Sequence, residues 1–479
     1  MRRHFFFVVA LLMCAFLLSC GNSNSSPTSV KSNVGAPMSL SIGDTPPNGV
    51  AILFFEASIT GASLQPSDSS KPAVSVLTSP VEVEFGHLQT DTAFVSLANV
   101  MPGMYQSMTL TFGNATMTIV NHSPTAFPSC AMNSVCMLTP SFSPTMVTVT
   151  GSHFPLTITQ NSAVGIRLDF NVDASVQNDL SIHPTVTIKQ LIQREDADED
   201  KEMEDLDEVD GTVTAVGSNQ FTLTKKSGQS FTIAVNSSTV FEDFDRSGCT
   251  ASPANFSCVK MGQVLDVDLS GSGTGTMLAK RVEFEENAAK QALKGTITSV
   301  DSATQFHMVV FNEEPTMNGI AEGSSIAVTI QSGAVFQVGR EEMGEDGGFS
   351  ISGLSFASST DLMTGQDVQI RPGTVTTSGG VTTVTTDLVR LWPSQVSGKV
   401  GSVNADGSFT LIGLSPLFTG ATPSVTTIKV VTLSDMDFLD FAGLSSQSVG
   451  SKVSVKGLLF NTSGTPTLVT RTMREHDGD

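Results

Sequence analysis

The stretches "VDGTVTAVGSNQFTLT" from Val209, "LKGTITSVDSATQFHMV" from Leu293 and "VSGKVGSVNADGSFTLI" from Val396 are three versions of one pattern. Each alternates apolar and polar residues, breaks at a turn rich in Gly, Asn, Asp and Ser, and then resumes. Alternation with a period of two marks a half-buried strand, so every copy predicts two strands joined by a hairpin. A glycine lies inside the first strand each time, at Gly211, Gly295 and Gly398. Within a strand, a missing side chain permits a sharp bend or the close approach of another backbone. A pattern written three times in series means three copies of one small module.

The rest of the module repeats as well. "QSFTIAVNSSTVFED", "SSIAVTIQSGAVFQV" and "VTTIKVVTLSDMDFL" supply a third strand. "MGQVLDVDLSG", "TGQDVQIRPGT" and "VGSKVSVKGLL" supply a fourth, each with a glycine ahead of it: Gly262, Gly365 and Gly450. "LAKRVEFE", "TTDLVRLWP" and "LVTRTMREH" close the units. Five short strands with a bent first strand resemble an OB-like barrel. The units are expected at 208–286, 292–393 and 395–476. They also resemble an uncharacterised domain family found in tandem in bacterial exported proteins, most clearly in the first unit. The joints "ENAAKQA" and "PSQ" are short, so the expectation is a semi-rigid row of beads.

Ahead of the repeats, 36–192 reads as strands throughout. "GVAILFFEASITGASL", "VEVEFGHL", "YQSMTLTF", "GIRLDFNVDAS" and "PTVTIKQL" alternate or are β-branched, between turns of Gly, Pro, Asn and Asp. Long helical periods are missing, which predicts an all-β chain opening with a β-sandwich. Asp44-Thr45-Pro46, the turn Met101-Pro102-Gly103-Met104-Tyr105, and Leu168-Asp169-Phe170 leading to His183-Pro184 resemble a lipoprotein domain family of unknown function. That resemblance covers about a third of the chain and implies no activity. The Pro-Gly-x-Tyr step is also similar to transthyretin-like and carboxypeptidase-regulatory-like sandwiches, in which Pro and Gly set a turn and Tyr packs its ring.

The N-terminus points to export. Arg2, Arg3 and His4 precede an uncharged apolar run from Phe5 to Leu18, shorter than the ~20 residues that span a bilayer. Leu17-Leu18-Ser19-Cys20 resembles the lipobox of bacterial lipoproteins, which implies cleavage after Ser19 and acylation of Cys20. Gly21 in place of aspartate resembles lipoproteins sorted to the outer membrane. Residues 1–19 are thus expected to be a signal peptide and 20–35, rich in Ser and Asn, a flexible tether.

Charge and cysteine content narrow the function. With 25 Lys and Arg against 46 Asp and Glu, the net charge is 25 − 46 = −21. Such a chain repels phosphate backbones, so no nucleic acid is expected as a partner. Apart from Cys14 in the signal and Cys20, the cysteines are Cys130, Cys136, Cys249 and Cys258. Four cysteines allow three pairings. The two local pairs, Cys130 with Cys136 and Cys249 with Cys258, are expected as disulfides, because an exported protein lies where they persist. Neither pair has the C-x-x-C step or nearby histidine of a zinc site.

Chemistry leaves few traces. His87, His122, His153, His183, His307 and His476 are scattered, and no H-E-x-x-H or Gly-x-Ser-x-Gly motif occurs. No enzyme and no cofactor are expected, although a triad drawn from distant segments would leave no local sign. "GSGTG" at Gly271–Gly275 lacks the Lys-Ser/Thr of a phosphate loop and reads as a hairpin turn. Sugar platforms favour Trp and Tyr, and this chain has one of each, Trp392 and Tyr105. The acidic run at 193–207 reads as an extended linker. Within it Asp196, Asp198 and Asp200 mimic the start of a calcium loop, but Lys201 stands where the turn needs glycine.

The expectation is a non-enzymatic outer-membrane lipoprotein, held to the membrane by its lipid, that presents β-domains to an envelope protein or polysaccharide. Its rivals are a small-ligand or cation-binding module and a hydrolase. A hydrolase requires a cleft holding a His or carboxylate of perturbed pKa; a scaffold requires only barrel faces.

Overall fold

The computed structural model describes residues 35–46, 51–122, 130–160, 162–177, 179, 181–194, 209–225, 230–245, 247–271, 277–287, 291–314, 319–338, 353–445 and 448–476. Cys20 and the acidic residues Asp196, Asp198 and Asp200 lie outside them.

Strands dominate what is described, as the period-two patterns require. The N-terminal region forms a four-stranded and a seven-stranded sheet that share one core. In the strand Ala36–Thr45, Met38, Leu40 and Ile42 enter that core while Ser39 and Ser41 alternate with them. This strand runs parallel to Ala163–Asn171, Met38 opposite Val164 and Thr45 opposite Asn171. The register explains two of the sequence motifs. It places Asp44-Thr45 beside Asp169-Phe170, where Thr45 Oγ1 donates to both Asp169 carboxylate oxygens at 3.0 Å. Asp44 accepts from the Val172 backbone N–H at 3.3 Å. Tyr105 packs its ring in the core, and its hydroxyl reaches back across the Pro102-Gly103 turn to the Met101 carbonyl at 2.7 Å. These motif residues join strands to one another.

The second and third repeats are closed five-stranded barrels. In the second, the strands are Ala292–Ser302, Gln305–Glu314, Ser325–Val338, Asp367–Ser378 and Val381–Trp392. In the third they are Ser394–Val403, Phe409–Ile412, Thr427–Leu439, Lys452–Phe460 and Thr467–His476. Both rings run first-second-third-fifth-fourth, and only the third and fifth strands pair in parallel. In the first repeat the third strand is split into Ser230–Ala234 and Val240–Glu242, and both pieces pair parallel to the last strand, Met277–Asn287. The ring therefore closes with the same order.

The glycines do the same work in every copy. A Cβ on Gly211, Gly295 or Gly398 would lie 3.0, 2.5 or 2.8 Å from a carbonyl oxygen of the neighbouring strand, those of Thr224, Val309 and Ile412. Only glycine allows that approach. Gly262, Gly365 and Gly450 have φ of +82°, +88° and +96°, the left-handed region. The N–H of each donates at 2.8 Å to the first strand, to Val213, Ile297 and Val400 respectively. The glutamine that follows the glycine twice locks the same turn: Gln263 accepts from the Lys260 N–H at 2.6 Å, and Gln366 from Met363 at 2.7 Å.

The units are not a row of beads. Leu458, Phe460 and Val469 of the third barrel belong to the core of the second. Phe54 and Val120 of the N-terminal region cluster with Val309 of the second barrel and Leu417 of the third. Phe94 packs edge-on against Phe231 of the first repeat, ring centres 5.5 Å apart. Short joints between small barrels leave apolar surface at each end, and it is buried against the neighbours.

Candidate functional site

The polar residues gather where the N-terminal region, the second barrel and the third barrel meet. The segment Glu84–Asp91 follows a strand of the seven-stranded sheet and lies against both barrels. Glu84 fixes its start by accepting from the N–H groups of Phe55, Gly86 and His87 at 2.8, 2.9 and 3.1 Å. It also holds the His87 ring through Nδ1 at 2.8 Å. The other side of that ring packs on Phe311 of the second barrel, centroids 4.1 Å apart.

From the third barrel, Gln395 clamps the segment. Its Oε1 accepts from the Gln89 and Thr90 N–H groups at 3.0 and 3.3 Å; its Nε2 donates to the His87 carbonyl and, at 2.9 Å, to Asp91. Ser397 donates to Gln89 Oε1 and continues through Ser454, at 2.5 Å, to His476 Nε2 at 2.8 Å. Arg474 donates to the Asp91 carbonyl at 3.1 Å and pairs with Asp440, which also pairs with Arg167 of the N-terminal region. From the second barrel comes Asp367, 3 % exposed, which accepts from Thr296 Oγ1 at 2.6 Å.

A cavity of about 70 Å³ opens between these groups, lined by His87, Gln89, Asp367, Gln395, Ser397 and Phe418 among others. Ligand pockets for drug-sized molecules run to ~300 Å³ or more, whereas a water needs only ~10–15 Å³. The space suits a few waters.

Burial shapes the titration of this junction. It pushes the Asp367 carboxyl up to about 6 from its ordinary 3.8, against the opposing pull of His87 and Thr296. Burial opposes the charge of His87, but Glu84, Asp367 and Asp91 outweigh it and raise its pKa. His476 goes the other way, pushed down to about 3 by burial and by Arg474, Lys452 and Lys189. A cleft with a shifted His and carboxylate meets the requirement set for a hydrolase. Yet Glu84 holds the His87 ring and the backbone of the N-terminal region, and Asp367 of the second barrel accepts from Thr296 and from the Gln395 backbone of the third, which ties units together.

The pH response follows from the signs. Between 3.8 and about 6 the folded Asp367 holds a proton that the unfolded chain has lost, so stability falls as pH rises through that interval. His87 acts in the same sense, its contribution full below 6.5 and lost as pH rises through its folded value. His476 opposes them: its contribution is full above 6.5 and is lost as pH falls toward about 3. Asp367→Asn should therefore be more stable than the parent by about 3 kcal/mol at pH ~8, since the rise from 3.8 to about 6 is roughly two pKa units of about 1.4 kcal/mol each. The gain should vanish near pH ~4, where the parent carboxyl is itself protonated. Denaturant melts at both pH values check this; equal effects at both would refute the buried-charge account.

The sequence-expected residues fall elsewhere. Cys130 is bonded to Cys136 on the strand Ser134–Leu138 of the N-terminal region, and Cys249 to Cys258 at the end of a 3-10 turn of the first repeat. Trp392 lies beneath Lys294, whose ammonium is 4.1 Å from the ring centre. Among the described residues no group of three or more His, Cys, Asp or Glu is placed to hold a metal ion. The junction residues were missed because they stand far apart in sequence. The "Gly-Gln" step at Gly262 and Gly365 was the readable signal for the locked turn.

Residues 210–283, the first repeat, match a family described as a domain of unknown function (DUF5666). No curated protein matches the chain.

Proposed function

We propose that the protein is a non-enzymatic lipoprotein of the outer membrane, anchored through acylated Cys20, with a structural or binding role in the envelope. It would hold its β-domains, as one body, in front of a protein or polysaccharide partner. The observation that carries this reading is the junction itself. Its charged and polar groups bind unit to unit across the chain, as in a rigid presenting scaffold. The lipobox-like Leu17-Leu18-Ser19-Cys20 supports the anchor, and multiple acyl chains on one cysteine give stable attachment where one is marginal. The small cavity beside Asp367 favours, as a second reading, a module for a very small ligand.

Cys20→Ser should shift the protein from the membrane fraction to the soluble fraction, or leave its signal uncleaved. A variant that is cleaved and still pellets with membranes like the parent would sink the anchor. Crosslinking in intact cells should capture an envelope component on the parent and not on the released variant.

A further inference from the structure

The fourth and fifth strands of the second barrel, Asp367–Ser378 and Val381–Trp392, form a hairpin longer than that of the third repeat, Lys452–Phe460 with Thr467–His476. The first strand of the barrel covers only residues 367–370 of it. Beyond that point the fourth strand has no neighbour on its outer side among the described residues, and Thr374, Thr376, Thr377 and Ser378 are exposed. The fifth strand is covered on its own outer side, by the third strand from Ile326 onward.

This edge, open among the described residues, is well formed. Gly379 and Gly380, at φ +59° and +82°, make a two-residue turn, and Ser378 pairs with Val381. In such a turn the flanking pair exchanges hydrogen bonds, and alternate pairs do so along the hairpin. Thr376 with Thr383 is thus bonded inward. Val375 and Thr377 turn their N–H and C=O groups outward.

Natural edge strands are guarded by charge, proline or a cover. Here no charged residue occurs from Pro372 to Thr386, in a chain of net charge −21. Arg371 and Asp387 sit at the base, pairing with each other at 2.7 Å. Val381 at the tip is 52 % exposed.

The same stretch is already an interface elsewhere in this chain. Asp367 opposite Trp392 and Lys452 opposite His476 mark equivalent registers, so Gly373–Val375 correspond to Leu458–Phe460. In the third repeat the side chains of Leu458 and Phe460 are buried in the core of the second barrel, and the Leu459 carbonyl accepts from Gln366 at 2.8 Å.

We propose that the edge Gly373–Ser378 joins two copies of the chain, the two strands pairing antiparallel about Thr376. Val375 of one copy then exchanges hydrogen bonds with Thr377 of the other, on both sides of the axis. The segment is self-complementary, as a two-fold interface requires. Its lack of charge, at the end of a hairpin that extends past its barrel, lets two acidic bodies meet where repulsion is least.

Sedimentation of the full mature chain in detergent, over a wide concentration series, tests the proposal. The parent should dimerise as concentration rises. Thr377→Pro removes one outward N–H and, on the inward side, only the 3.1 Å hydroxyl contact with Thr382, sparing the inward backbone bonds of Thr376 and Ser378; Thr376→Lys sets two like charges across the axis. Each should weaken association at least about tenfold. Thr376→Cys should give a covalent dimer on mild oxidation, and Thr60→Cys, at an exposed position of the strand Ala51–Pro66, should not. A parent that stays monomeric throughout, or a dimer that survives both edge variants, overturns the proposal.

Discussion

Gly365→Ala should destabilise the protein by about 3–5 kcal/mol, while Gly450→Ala and Gly262→Ala should each lose only about 1–2 kcal/mol. The three glycines occupy one turn of one module, with φ of +88°, +96° and +82°. A side chain in that conformation carries the same backbone strain at each. The surroundings differ. Nothing lies within 4 Å of a Cβ built on Gly262 or Gly450, whereas on Gly365 it would stand 2.3 Å from Phe418 Cε1 and 2.5 Å from Cζ. Phe418 belongs to the short helix Pro416–Thr419 of the third barrel and is 4 % exposed. The ring must swing into the small cavity that it lines together with Gly365, or the two barrels must move apart. Calorimetry should show the second and third barrels losing their common transition in Gly365→Ala alone. Equal losses at all three positions would mean that the contact with Phe418 contributes nothing.

Phe170→Ala should be of similar size and act on the other side of the junction. Phe170 is fully buried, its ring 4.7 Å from Phe85, 5.5 Å from Phe112 and 6.0 Å from Phe55. Removing a buried phenylalanine costs about 3–5 kcal/mol, from lost transfer energy and the cavity left behind. Phe55 and Phe85 flank Glu84, whose carboxylate orders the segment that carries His87. The loss should therefore spread: the N-terminal region melts earlier and the barrels lose what they dock on. Phe170→Leu, which refills most of the volume, should recover much of the stability. If the alanine variant lowers the N-terminal transition and leaves the barrel transition where it was, the units are less coupled than the junction implies.

The repeats were legible because their constraints are local. A glycine in a strand and another before a strand leave a mark at fixed spacing, and period-two alternation marks the strands between. Tyr105, Asp44 and Asp169 stood out as motif residues, and the register places them where they join neighbouring strands. The docking of units left no mark. His87 and Gln395 are 308 positions apart, and no pattern in either segment tells of the other. Gly365 reads like Gly262 and Gly450, and only the packed structure shows that one of the three faces a ring. The titration of Asp367 was hidden for the same reason. An aspartate at the head of an alternating strand looks solvated until a second unit buries it.

Lys452 donates to the carbonyl of Pro46 across 406 positions, and Arg474 to that of Asp91 across 383. The closing contacts of the first region are thus supplied by the last strands of the third barrel. Closing so long a loop adds little to the equilibrium cost, since loop entropy grows only with the logarithm of length. Its effect lies in time. A chain synthesised from its N-terminus cannot complete the closing contacts of its first region until residues near 474 have emerged. Phe94 faces water or a chaperone until the first repeat appears, Phe54 until the second and third do, and the segment from His87 to Asp91 until the last strands close on it.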